Sequence, residues 1–143
     1  MKIEKNKIQS TPSTLTLEGV QVLLVEDEPD MAELFVLILE DLGAEVILVD
    51  SACKALSIME NQHPDILVSN LRLPDESGKW LIQQIRKLEA SWQRPLPAIA
   101  VTSYTREVNS DNLVEAGFHR FMPKPLDPDE LVAAVLKLTG RAG

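Results

Sequence analysis

The sequence predicts an α/β fold, a parallel β-sheet covered by helices on both faces, and three observations carry that prediction. Short runs of β-branched and other apolar residues alternate five times with segments of helical periodicity, the pattern of strands joined by crossover helices. The first run, Gln21 to Glu26, is almost continuously apolar, as a strand buried on both faces must be. Polar and ionisable residues collect where several of the runs end, which is where open α/β sheets hold their ligands.

The first strand is followed by a helix with Met31, Leu34, Phe35, Ile38 and Leu42 at i, i+3, i+4, i+7 and i+11, opened by Pro29 and closed by Gly43. Glu45 to Val49 forms the second strand. Ser51 then caps a helix with Ala52, Ala55, Leu56 and Met59 on one face. The third strand is Asp65 to Ser69. The turn-rich segment NLRLPDESG separates it from a helix carrying Leu81, Ile82, Ile85 and Leu88. Ala98 to Val101 is the fourth strand, and a helix with a thin apolar stripe follows from about Glu107 to Ala116, ended by Gly117. A short fifth strand, His119 to Met122, leads to a last helix opened by Asp127, Pro128 and the capping-box acid Glu130, with Leu131, Val135 and Leu138 inward.

A chain of 143 residues holds one domain with a full core and is short for two. Residues 1–18 are polar, rich in Ser and Thr and without periodicity, and read as a tail or linker; the domain is expected over 19–140. Apolar residues at 45% and charged residues at 25% are ordinary globular usage. A formal net charge of −8 without any basic stripe argues against nucleic acid as a partner, because phosphate neutralisation needs clustered Lys and Arg. No apolar run is long enough to cross a bilayer and no signal-peptide core opens the chain, so a cytoplasmic protein without membrane insertion is expected. Cys53 has no second cysteine to pair with and reads as a packing residue. His63 and His119 lack partners at metal-ligand spacing, and Trp80 and Trp92 flank the third helix, so structural roles are expected for all four.

Four groups stand at strand ends: Glu26 with Asp27, Asn70, Thr102 with Ser103, and Lys124. Adjacent carboxylates are hard oxygen ligands suited to Mg2+, which takes one or two carboxylates and keeps several waters. A hydroxyl and an ammonium opposite them would bond and neutralise phosphate oxygens. Taken singly each residue has a plainer reading: the acids favour a helix N-terminus, Lys124 is a loop lysine, Thr102 a strand-end hydroxyl and Phe121 a core aromatic. Their joint placement favours a small pocket for a metal and a phosphoryl group.

The blocks LLVEDEPD (23–30), DILVSNLRLPDESG (65–78), AIAVTSY (98–104) and FMPKPLDPDEL (121–131) resemble the response-regulator receiver domains of two-component signalling, from about Gly19 to Gly140. The resemblance implies a flavodoxin-like doubly wound (βα)5 sandwich with strand order 2-1-3-4-5. It implies that Glu26, Asp27 and the backbone carbonyl of Arg72 hold Mg2+, that Thr102 and Phe121 are the switch hydroxyl and aromatic, and that Lys124 contacts phosphate before a cis bond to Pro125. The phosphoacceptor position falls on Asn70, where the family pattern has Asp. An amide oxygen is a poor nucleophile, so no aspartyl phosphate is expected there, and with one negative charge fewer Mg2+ should bind weakly. Either an inactivating substitution in a competent receiver or a natural receiver that signals without phosphate accounts for the Asn.

The implied partners are a histidine kinase or histidine phosphotransfer protein, with a homodimer through the fourth helix, fifth strand and fifth helix as a further possibility. The polar linker before LEGVQVLLVEDEP resembles receivers fused to hybrid histidine kinases. On this reading the chain is not an enzyme. A small Mg2+-dependent phosphohydrolase, and an interaction module with a vestigial pocket, are the competing readings; the first would want an aspartyl nucleophile that Asn70 does not supply.

Overall fold

In a computed structural model, which describes residues 15–91, 95–103 and 110–141, the chain alternates strand and helix five times. The elements are β1 (Gln21–Val25), α1 (Pro29–Asp41), β2 (Glu45–Val49), α2 (Ala52–Asn61), β3 (Ile66–Asn70), α3 (Gly78–Leu88), β4 (Ala98–Thr102), α4 (Ser110–Ala116), β5 (Arg120–Pro123) and α5 (Pro128–Leu138). All four pairings are parallel and the order is β2-β1-β3-β4-β5, the flavodoxin-like arrangement.

Alternation along the strands divides the core in two. Val22, Leu24, Ile66, Val68, Ile99, Val101 and Met122 face the layer of α1 and α5, where Phe35, Leu39, Leu131 and Val135 meet them. Leu23, Val25, Leu67, Ala98 and Ala100 face the layer of α2, α3 and α4, against Ala55, Met59, Leu81, Ile82, Ile85 and Leu113. Each fully buried large apolar side chain contributes roughly 1.5–3 kcal/mol relative to exposure, so these two slabs supply most of the driving force for folding.

Helix ends follow the local chemistry. Ser51 accepts from Lys54 N and Ser77 from Trp80 N, while Gly43 and Gly117 sit at φ +97 and +122 just past α1 and α4. Asp127 caps α5 by accepting from Asp129 N rather than from the amide of Glu130, so the expected capping box is replaced by a tighter turn.

Several expectations are corrected. On α1 the buried positions are Ala32, Phe35 and Leu39; Leu34 is 40% exposed because the helix turns its true inward stripe slightly away from it. Leu88 is likewise at the rim of α3, 37% exposed. Cys53 is exposed rather than packed, since Ala52 and Ala55 take the inward places of the first turn of α2. Packing begins before Gly19: Leu17 is fully buried and its N–H donates to Leu42 O at 2.7 Å, which closes the C-terminal end of α1. Strands β3 and β5 each sit one residue later than expected, β1 ends at Val25 and β4 extends to Thr102. Residues 1–14 of the expected tail, Trp92, and Glu107 to Asn109 of the expected fourth helix lie outside the described residues.

Candidate functional site

Strand register gathers the expected residues at one edge of the sheet. Val25 pairs with Ser69, Asn70 with Val101 and Thr102 with Pro123, so Glu26, Asn70, Thr102 and Lys124 stand side by side at the carboxyl ends of β1, β3, β4 and β5. The two-residue alternation continues through these ends. It aims Glu26, Asn70 and Lys124 to the side of Val22, Ile66 and Met122, and sends Thr102 to the side of Ala98 and Ala100.

Glu26 is the hub, 2% exposed. Lys124 Nζ lies 2.8 Å from its Oε1. Its Oε2 accepts from the Glu28 backbone N–H and from Asn70 Nδ2, each at 3.2 Å. Asn70 Nδ2 also donates to Oδ1 of the exposed Asp27 at 3.2 Å. The amide orientation follows from its partners, because only an NH2 group can donate to two carboxylates. Two acids are thereby bridged by one neutral donor, and one of them is neutralised by the ammonium behind it.

Thr102 is 1% exposed, and its carbonyl accepts from Lys124 N at 2.9 Å, one residue before the cis Lys124–Pro125 bond. Phe121 is half-buried and packs against the α2, α3 and α4 side of the core. Arg72 lies on the exposed loop after β3, two residues beyond Asn70. That loop starts with Leu71 N donating to Val101 O at 3.0 Å and closes with Gly78 N donating to Leu71 O at 2.9 Å. A Cβ on Gly78 would run into the backbone oxygen of Asn70, so the loop can close here only on glycine. Of the expected site, then, Glu26, Asp27, Asn70 and Lys124 are joined by side-chain bonds, Thr102 joins through its backbone, and Phe121 and Arg72 flank the group.

A shallow, open cavity of about 330 Å³ adjoins the acids, walled by Glu26, Asp27, Val49, Asp50 and Lys54 among others. Lys54 pairs with Asp50 at 2.9 Å on its exposed rim.

The donor set limits what cation fits. Among the described residues no three or more His, Cys, Asp or Glu side chains form a metal cluster. Both oxygens of Glu26 are already bonded, which leaves Asp27 as the accessible carboxylate. Mg2+ accepts such a sparse set because it keeps most of its waters, so the residues fit a hydrated ion with Asp27, an amide oxygen of a reoriented Asn70 and a backbone carbonyl as candidate ligands.

Sequence reasoning missed Asp75. Its two carboxylate oxygens accept from Ala52 N at 3.0 Å and Cys53 N at 2.9 Å, across the loop and onto the first turn of α2. Partial desolvation pushes its carboxyl up, but bonds from the Cys53 thiol and from the Cys53, Ala52 and Glu76 amides outweigh it and hold the carboxyl well below the usual carboxylate range. The same contact, with some desolvation, raises the Cys53 thiol. Nothing near Asp75 in sequence signals this, because its partners lie 22 and 23 residues away.

With this geometry in hand, comparisons with known proteins agree among themselves. The family model described as response regulator receiver domain matches residues 22–136. A protein of Leptolyngbya boryana, described as an uncharacterized 14.6 kDa protein in the sodA1 3' region, is 39% identical over 84% of this chain and 90% of its own length. The sensor histidine kinase GacS of Pseudomonas protegens is 30% identical over 98% of this chain, which spans only 16% of that kinase. Among solved structures, the receiver domain of the sensor histidine kinase PA1611 of Pseudomonas aeruginosa, described with a magnesium ion coordinated in its active site cleft, superposes with a TM-score of 0.76 at 29% identity, covering 85% of this chain and 98% of that one. No helix among the described residues is long and apolar enough to cross a membrane.

Proposed function

Because this chain belongs to the response regulator receiver domain family, we propose that it is a receiver of a two-component phosphorelay in a form that does not accept phosphate at residue 70. The observation that carries the reading is the amide of Asn70, which stands at the end of β3 and donates to both Glu26 and Asp27. In the family a carboxylate oxygen at this place attacks phosphorus, and a divalent cation offsets the charge that gathers during transfer. The oxygen of an amide is uncharged and its lone pair is delocalised toward nitrogen, so it does not perform that attack. The rest of the pocket retains its parts: Asp27 and the Arg72 carbonyl for Mg2+, with the bonded Glu26 becoming a further ligand only if it releases Lys124 or Asn70, Lys124 for phosphate oxygens, and Thr102 with Phe121 as the switching pair.

On this reading Mg2+ is held weakly, and the chain acts through contacts with a histidine kinase or phosphotransfer protein in the cytoplasm, without turnover of its own. The similarity to the kinase GacS supports that class of partner. The face of α4, β5 and α5 is the candidate surface for pairing with a second copy.

The test is intact-mass analysis after incubation with a small phosphodonor and Mg2+. The unmodified chain should gain no phosphoryl group and Asn70→Asp should gain one. A stoichiometric acyl phosphate on the unmodified chain overturns the reading.

A further inference from the structure

We infer that Asp75 is a positioning residue of the acid cleft, stitching together the two loops that border it. The inference rests on the reading that this cleft takes a divalent cation with the Arg72 carbonyl among its ligands.

The first amides of an α-helix have no partner within the helix and take one from outside. In α2, Ser51 already serves Lys54 N at 3.2 Å from the adjacent position. Ala52 N and Cys53 N are served instead by Oδ1 and Oδ2 of Asp75, which belongs to a different connection, the loop between β3 and α3. A residue brought in from another loop does more than cap a helix, because it ties one loop to the other.

The two loops are those that border the acids. Asp50 and Lys54 at the start of α2 form one wall of the cavity shared with Glu26 and Asp27. The segment after Asn70 carries Arg72 and then Asp75. Its two ends are already fixed by Leu71 N to Val101 O at 3.0 Å and Gly78 N to Leu71 O at 2.9 Å. Asp75 pins the middle, so the Arg72 carbonyl is held between fixed points, and the loop that carries it is tied to the start of α2, which walls the cavity. Asp75 does not itself enter the group formed by Glu26, Asp27, Asn70 and Lys124; it acts through the backbone.

The experiment uses the full chain and its Asn70→Asp variant, with Mg2+ affinity read by calorimetric titration well below the melting temperature. Adding Asp75→Ala to Asn70→Asp should weaken Mg2+ about tenfold, the usual scale for residues that orient metal ligands, while Asp75→Asn, which keeps one of the two oxygen acceptors, should recover part of that loss. Amide hydrogen exchange on the otherwise unmodified chain should show Gly78 losing protection in Asp75→Ala together with Ala52 and Cys53. If Asn70→Asp binds Mg2+ more tightly than the parent and Asp75→Ala leaves that affinity unchanged, Asp75 is only a helix cap and the inference fails. If Asn70→Asp binds no more tightly than the parent, the reading of the cleft fails, and the exchange of Gly78 alone decides: unchanged protection overturns the role of Asp75, and lost protection sustains it.

Discussion

Lys124 Nζ lies 2.8 Å from Glu26 Oε1, with side chains only 8% and 0% exposed, and this ion pair joins residues 98 positions apart at the head of the sheet. Breaking a buried pair by removing one partner leaves an uncompensated charge, which typically costs about 3–5 kcal/mol. Lys124→Met should therefore lower unfolding stability by roughly that amount. Adding Glu26→Gln should return part of the loss, because the stranded charge is then gone. Urea unfolding of the two single variants and the double variant measures this; additive losses would show that the pair is not coupled.

Asn70→Asp replaces a donor to two carboxylates with a third acceptor at the same distance. Like charges about 4 Å apart repel by about 4 kcal/mol at the effective dielectric of a protein surface, and exposure of Asp27 reduces the part actually felt. A loss of about 2 kcal/mol, or about 6 °C in melting temperature, is expected in chelator. Millimolar Mg2+ should restore it in Asn70→Asp and leave the parent nearly unmoved. Thermal melts with and without Mg2+ read the difference, and an equal Mg2+ response in both proteins contradicts the prediction.

Gly78→Ala places a methyl group against the backbone oxygen of Asn70, with Leu71 Cα 3.1 Å away. Backbone cannot step aside as a side chain would, so overpacking of about 1–3 kcal/mol is expected. The disturbance should centre on the amide resonances of Asn70 and Leu71, which two-dimensional NMR would locate; a neutral substitution with unmoved resonances would count against the described closure of the loop.

His119 couples stability to pH at the opposite end of the sheet. Its Nδ1 accepts from Ala98 N at 3.1 Å, which requires the neutral ring. Burial, then the nearby Arg86 guanidinium, lower its pKa from 6.5, with Glu89 opposing. A folded-state pKa below the unfolded one means a contribution fully present above about 6.5 and lost as pH falls through the folded value. The urea midpoint should decline between pH 7 and pH 5 in the parent and less steeply in His119→Gln. Parallel pH profiles for the two proteins would remove His119 as the cause.

Much of this molecule was legible in the chain itself. Strand and helix positions follow from spacing over a few residues, so β2 was expected with its observed ends, and Ser51, Gly43, Gly117 and Asp127 mark their helix ends by local chemistry alone. The candidate site was legible for a related reason. In a parallel sheet every strand points the same way, so residues at strand ends meet wherever the register falls, and Glu26, Asn70 and Lys124 meet as expected.

What periodicity could not decide is which side chains complete one another. Leu34 fits the helical repeat of α1 as well as Leu39 does, yet Leu39 is fully buried in the cluster it shares with Leu17 and α5 while Leu34 is left 40% exposed. The bonds by which Asn70 bridges two acids span 44 residues to Glu26 and 43 to Asp27, and the cap that Asp75 sets on α2 spans 22 to Cys53. Local patterns carry the elements because their causes act over one or two turns of chain; these partnerships depend on how whole elements stack, and only the folded sheet brings their atoms within bonding distance.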